Sequence, residues 1–111
     1  MQQQHRIRRN AQFRYVYRKG KGAGGQFMGL TYLRSGRTQA GFSVSRKVGN
    51  AVVRNRVKRR MREHFRLRMT ELKPGLYVFT ARPKAAEADY HMLAKDMEAL
   101  FRRLGLNRSA V

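Results

Sequence analysis

The sequence predicts a single α+β domain, and three observations carry that expectation. Its 111 residues, 41% of them hydrophobic, suffice for one modest core and not for two. Three short runs, at 26–34, 38–46 and 76–82, have the period-two alternation or the β-forming composition of strands. Three other stretches carry apolar residues at the i, i+3, i+4 spacing of one helix face.

Taken in order, residues 1–9 are expected to form a flexible basic N-terminus. Asn10 then caps a short helix in which Phe13, Val16 and Tyr17 share a face, and Gly20 ends it. The stretch KGKGAGG at 19–25 lacks the GK[ST] ending of a phosphate-cradling loop and precedes a strand, so a turn is expected there. QFMGLTYLR and TQAGFSVSR are joined by a short connection containing Gly36, which predicts a hairpin. In the first run Phe27, Gly29, Thr31 and Leu33 share one face and Met28, Leu30 and Tyr32 the other; in the second, Ala40, Phe42 and Val44 alternate with Gly41, Ser43 and Ser45.

Asn50 is placed as the N-cap of a long helix. Along it Val53, Val57, Met61, His64 and Phe65 form an apolar stripe, opposite Asn55, Arg56, Lys58, Arg59, Arg62 and Arg66. Pro74-Gly75 marks a turn, and LYVFTAR is a strand ended by Pro83. Strand, helix, strand in this order predicts a parallel crossover onto one sheet. The last helix carries Tyr90, Leu93, Met97, Leu100, Phe101 and Leu104 at core spacing and stops at Gly105.

The formal charge is +20, from 26 Lys and Arg against 6 Asp and Glu. No acid precedes Glu63, so the first 62 residues hold 17 basic side chains with nothing to neutralise them. Such a chain repels itself unless a polyanion is near. No run is long and apolar enough to span a bilayer, the N-terminus lacks a signal peptide's apolar region, and the apolar faces are needed for the core. Nucleic acid is therefore favoured over membrane, and a cytoplasmic location is expected. The absence of cysteine excludes disulfides and thiolate chemistry.

Catalysis by the polypeptide needs carboxylates, histidines or thiols gathered in one place. His5, His64 and His91 are scattered, and His64 reads as a core or edge histidine. Asp89 and Asp96, seven apart on one helix, could share a metal in an autonomous nuclease, but no third ligand accompanies them in sequence. A solvated basic face would be interleaved with acids at i+4. The long helix has none before Glu63, which points to an external anion.

The stretch GFSVSRKVGNAVVRNRVKRRMRE closely resembles the RNR signature of the bacterial ribonuclease P protein subunit. NAQFRYVYRKG, QFMGLTYL and LYVFTARP resemble that family's first helix, first strand, and the strand and turn before its last helix. The resemblance implies a two-layer sandwich of the ribosomal protein S5 domain 2-like type, with a mixed four-stranded sheet and a left-handed βαβ crossover. It implies one RNA-binding domain over 1–111 that joins the M1-type catalytic RNA of ribonuclease P to remove the 5′ leader of precursor tRNA. By that likeness the RNA performs hydrolysis with Mg²⁺, the protein binds no cofactor itself, and neither a membrane nor a protein partner is required.

Two surfaces follow from the resemblance. Arg46, Lys47, Arg54, Asn55, Arg56, Lys58, Arg59 and Arg62 would contact RNA; guanidinium forks grip phosphate, and Asn55 either reads a base edge or 2′-hydroxyl or spaces the charges. Phe13, Tyr17, Met28 and Leu30 match a cleft holding the single-stranded leader, by stacking that tolerates sequence variation. The spacing of Phe13 and Tyr17 suits core packing equally well. Leu30 stands where some relatives carry a tyrosine. A small ribosomal protein or general RNA chaperone would explain the charge but not this array of segments.

Overall fold

The computed structural model describes residues 5–7 and 9–108. Three helices, α1 (Asn10–Lys19), α2 (Ala51–Arg68) and α3 (Tyr90–Arg103), accompany four strands, β1 (Lys21–Gly24), β2 (Met28–Arg34), β3 (Gln39–Ser43) and β4 (Gly75–Ala81). Short 3-10 turns occupy Met69–Glu71 and Pro83–Glu87. The strand order is β1-β2-β4-β3; β2 runs antiparallel to β1 and β4, and β3 runs parallel to β4. The expected parallel crossover is therefore β3–α2–β4.

The expected hairpin of β2 and β3 does not form, because β4 lies between them. Tyr77, Val78 and Phe79 in β4 are consecutive and fully buried, so this strand is apolar on both faces and belongs in the sheet centre. β3, with Gly41 and Ser43 on one face, takes the edge. The 19–25 stretch is not merely a turn either. Its glycines leave the backbone unobstructed, and Lys21–Gly24 pair with Tyr32–Gly29 as the other edge strand.

α2 and α3 cover one sheet face. Val57, Met61 and Phe65 of α2 and Leu93, Met97, Leu100 and Phe101 of α3 pack there with Met28, Leu30, Tyr77 and Phe79. Each large side chain so buried contributes about 1.5–3 kcal/mol. Phe79 sits at the centre, stacked on Phe42 at 5.2 Å and edge-on to Phe65 at 5.5 Å. α1 lies on the opposite face, where Val16 and Phe13 meet Val78, Leu33, Leu76 and Ile7. Arg9, not Asn10, is the N-cap of α1 and makes no side-chain cap bond; Asn10 is the first helical residue. Gly105 closes α3 in the left-handed conformation, at φ +66°, which costs glycine least.

Residues 5–7 precede α1. Ile7 is buried and donates its N–H to Ala40 O at 2.9 Å, so this segment lies against the free edge of β3. Residues 1–4 and 8 lie outside the described residues. His64 sits at the rim of the core, its Nε2 2.7 Å from Glu98 Oε2 and its Nδ1 3.3 Å from the Tyr90 hydroxyl. Arg68 donates Nε–H to the same Glu98 oxygen at 2.8 Å, bonds Glu71 and Asn107, and so ties α2 to α3 and the chain end. Burial pushes the Glu98 carboxyl up; the bonds from Arg68 and His64 outweigh it and leave the group below its ordinary value.

Candidate nucleic-acid interface

α2 begins where Asn50 accepts the Val53 N–H at 3.0 Å, the cap expected from sequence. Its apolar stripe faces the sheet, so its cations cannot be buried and spread around the remaining surface in three strips. Asn55 and Arg59 stand exposed on the crest. Arg56 and Arg60 lean toward the turn at 83–87, donating to Ala86 O at 3.4 Å and Ala88 O at 2.8 Å. Lys58 and Arg62 lean the other way, toward α1. Arg46 and Lys47 are exposed in the turn that leads into the helix. The Nε atoms of Arg54 and Arg56 are buried with no hydrogen-bond partner among the described residues.

Phe13 and Tyr17 of one predicted surface and Lys58 and Arg62 of the other come together at β3. A groove of about 750 Å³ follows this edge strand, with Phe13, Arg14 and Tyr17 of α1 on one side and Lys58 and Arg62 of α2 on the other. Gly41, Phe42, Ser43 and Val44 form its floor, and Arg6 and Asn10 line one end. Phe13 can approach so closely because residue 41 has no side chain: a Cβ there would fall 2.5 Å from Phe13 Cζ. Phe13 is thus both wall and core. Tyr17 is 44% exposed, and its hydroxyl lies 2.5 Å from Thr80 Oγ1, which fixes the ring beside the sheet.

Met28 and Leu30 do not line this groove. They are 0% and 1% exposed and face α2 and α3, on the side of the sheet away from α1. Strand parity explains the correction: Met28 and Leu30 pair with Ala81 and Phe79, whereas Gly29 and Thr31 pair with Thr80 and Val78 on the face that α1 shares. The register joins Ser43, Thr80, Gly29 and Gly24 into one cross-strand row on that face. α1 packs over Val78 and Leu76 and leaves Thr80 and Gly24 exposed. The row, with Arg14, was missed in sequence; its signal was glycine and small hydroxyl residues inside strands, which mark close approach of something else to the backbone.

Five of the six acids are committed elsewhere, and the sixth, Glu87, stands alone and exposed among the described residues. Asp89 is exposed and caps α3 through the Met92 N–H at 2.8 Å, and Asp96 accepts the Gln26 and Phe27 N–H groups at 2.8 and 2.9 Å, so the pair does not converge on a shared ligand. Glu63, Glu71 and Glu98 are ion-paired with Arg66, Arg68, and Arg68 with His64. Among the described residues no three His, Asp or Glu side chains gather. Around β3 the side chains are instead cations and aromatic rings.

Comparison with known proteins identifies the family. A family model described as Ribonuclease P matches residues 1–105. The ribonuclease P protein component of Caldanaerobacter subterraneus subsp. tengcongensis is 41% identical over 104 residues, 91% of this chain and 90% of the relative. That of Streptomyces avermitilis is 42% identical over 114 residues, 91% and 92% of the two chains. The structure of the Staphylococcus aureus RNase P protein is similar with a TM-score of 0.87 at 26% identity, covering 94% of this chain and 98% of the other. For the Thermotoga maritima protein the TM-score is 0.79 at 27% identity, over 88% and 96%. No helix among the described residues is long and apolar enough to cross a membrane. The chain belongs to the bacterial ribonuclease P protein family, the protein component that works with the RNA of this tRNA-processing endoribonuclease.

Proposed function

We propose that the chain holds the single-stranded 5′ leader of precursor tRNA in the groove along β3 while the crest and flanks of α2 grip the M1-type catalytic RNA, in the cytoplasm. The observation that carries this reading is the shared edge strand: one wall of the groove offers rings for bases, the other offers Lys58 and Arg62 for phosphates. Stacking on Phe13 and Tyr17 is worth roughly 1–3 kcal/mol per base and tolerates any leader sequence. Arg46, Lys47, Arg54, Asn55, Arg56 and Arg59 form the RNA-side surface. The unpartnered Nε–H groups of Arg54 and Arg56 support it, since a buried donor left unsatisfied costs about 1–3 kcal/mol that an incoming acceptor would relieve.

The polypeptide's part is positional. Binding the leader beside the catalytic RNA converts an encounter of substrate and ribozyme into a held geometry. Phosphodiester hydrolysis, with the Mg²⁺ it needs, belongs to the RNA subunit in this reading, which fits carboxylates that are either scattered or already bonded to backbone N–H groups and arginines.

Reconstitution tests the reading. Holoenzyme formed from this chain and a bacterial ribonuclease P RNA is expected to bind precursor tRNA more tightly than mature tRNA and to need less Mg²⁺ than the RNA alone. Phe13→Ala should erode the preference for precursor while RNA assembly persists. A preference independent of leader length would remove the groove from the account, and equal affinity for arbitrary transcripts would favour a general RNA chaperone.

A further inference from the structure

Beyond the groove, the row Ser43–Thr80–Gly29–Gly24 crosses all four strands and ends at two arginines that no role yet described uses. Arg82 continues the parity of Val78 and Thr80 just past β4, so it emerges on the face that α1 shares. Its guanidinium lies over Gly24, in the space that a side chain at 24 would occupy. Arg103, from α3 on the other side of the sheet, reaches around the edge and donates Nη1–H to Gly24 O at 2.6 Å. Two exposed guanidinium groups thus converge on one glycine. Neither takes part in an ion pair among the described residues, and both oxygens of nearby Asp96 are already bonded to Gln26 and Phe27.

We infer that Arg82 and Arg103 form a phosphate clamp for the single-stranded leader where it leaves the sheet. This inference rests on the leader groove proposed above. From Ser43 to Gly24 is three inter-strand spacings, on the order of 14 Å, and no side chain larger than threonine stands in that row. A flexible strand leaving the groove passes the Tyr17 ring, whose hydroxyl meets Thr80, and then lies over Gly29 toward Gly24, where the clamp supplies paired N–H donors in the fork geometry that phosphate oxygens fit. Arg103 gives one N–H to Gly24 and keeps the rest of its fork; that bond aims the group.

The test uses the reconstituted holoenzyme and precursor tRNAs whose leaders are graded from shorter than the groove to longer than the groove plus the row. For long leaders, Arg103→Gln and Arg82→Gln should each lower the slope of log affinity against log salt by about 0.7, the value for one phosphate contact on a single strand. Short leaders and mature tRNA should show no change, and Arg103→Lys should recover part of the loss. Thermal melts accompany each variant, since Arg103 also steadies the β1–β2 turn; Arg82, with no such bond, serves as the second variant. An equal slope change for all leader lengths would assign the contact to the catalytic RNA and overturn the clamp. No change for any substrate, with both variants folded, would overturn it as well. Loss of the Phe13→Ala effect would instead strike the groove, so the two failures are distinguishable.

Discussion

Gly29→Val separates the leader surface from the core more cleanly than any aromatic truncation. A Cβ at 29 would meet just one neighbour, Ala23 O at 3.7 Å, an ordinary contact, and the branched side chain would stand on the open face beside Thr80. Valine is also favoured over glycine in strands, on a scale spanning about 1 kcal/mol, so the melting temperature should hold or rise. Function should move the other way. If a base rests on the bare backbone beside Tyr17, the valine lifts it off, costing roughly 1–3 kcal/mol of stacking. At about 1.4 kcal/mol per tenfold, that is a loss of roughly 5- to 150-fold in affinity for precursor tRNA. The assay is equilibrium binding of precursor and mature tRNA to holoenzyme carrying either chain. The precursor preference should collapse while mature tRNA binding is kept. An unchanged preference, with the variant folded, would refute the reasoning.

Other expectations follow from separate parts of the molecule. Arg59→Ala, on the exposed crest of α2, should weaken assembly with the catalytic RNA and lower the salt slope by about one; an unchanged slope would mean that this side chain meets only water. Asp96→Ala strips the acceptor from the part-buried Phe27 N–H, worth up to about 1–3 kcal/mol if left unsatisfied, and from the exposed Gln26 N–H, which water can take over, and should lower the melting temperature without abolishing cleavage by the folded holoenzyme. A folded but cleavage-dead Asp96 variant would revive a protein-borne metal centre. Glu98 gives a pH signature. Its folded-state carboxyl lies below its ordinary value of 4.5, so its contribution is present above that pH and drains away as the pH falls through the folded value. Wild type should therefore lose more stability between neutral pH and acid than Glu98→Gln does, in denaturant melts across that range; parallel losses would show that the Arg68–Glu98–His64 cluster contributes nothing.

Much of this architecture is legible in the residues themselves. α2 with its Asn50 cap, α3 with its stop at Gly105, and β4 with its run of apolar residues follow from local rules, because each element's pattern and its burial agree. Pairing partners do not follow from such rules. The short connection between β2 and β3 favours a hairpin, yet burial of β4 on both faces is worth more and drives it between them. The expected place of Met28 and Leu30 in the cleft fails for a related reason. Period two defines two faces of β2 but not which of them meets α1, and the larger Met28 and Leu30 go to the thicker core beneath α2 and α3. Gly29, Gly41 and Thr80 attract no notice as binding residues in a sequence, because their value lies in what they leave uncovered. The basic helix was visible from its charge alone; that its cations divide among a groove, a crest and the 83–87 turn needed coordinates.

The most direct measurement is cleavage of precursor tRNA by the purified chain, by a bacterial ribonuclease P RNA, and by the two together, at Mg²⁺ too low for the RNA alone. Cleavage at the mature 5′ end by the mixture and by neither component is the expected result. Hydrolysis by the polypeptide after all RNA has been digested away would contradict a protein that grips and positions while its RNA partner cuts.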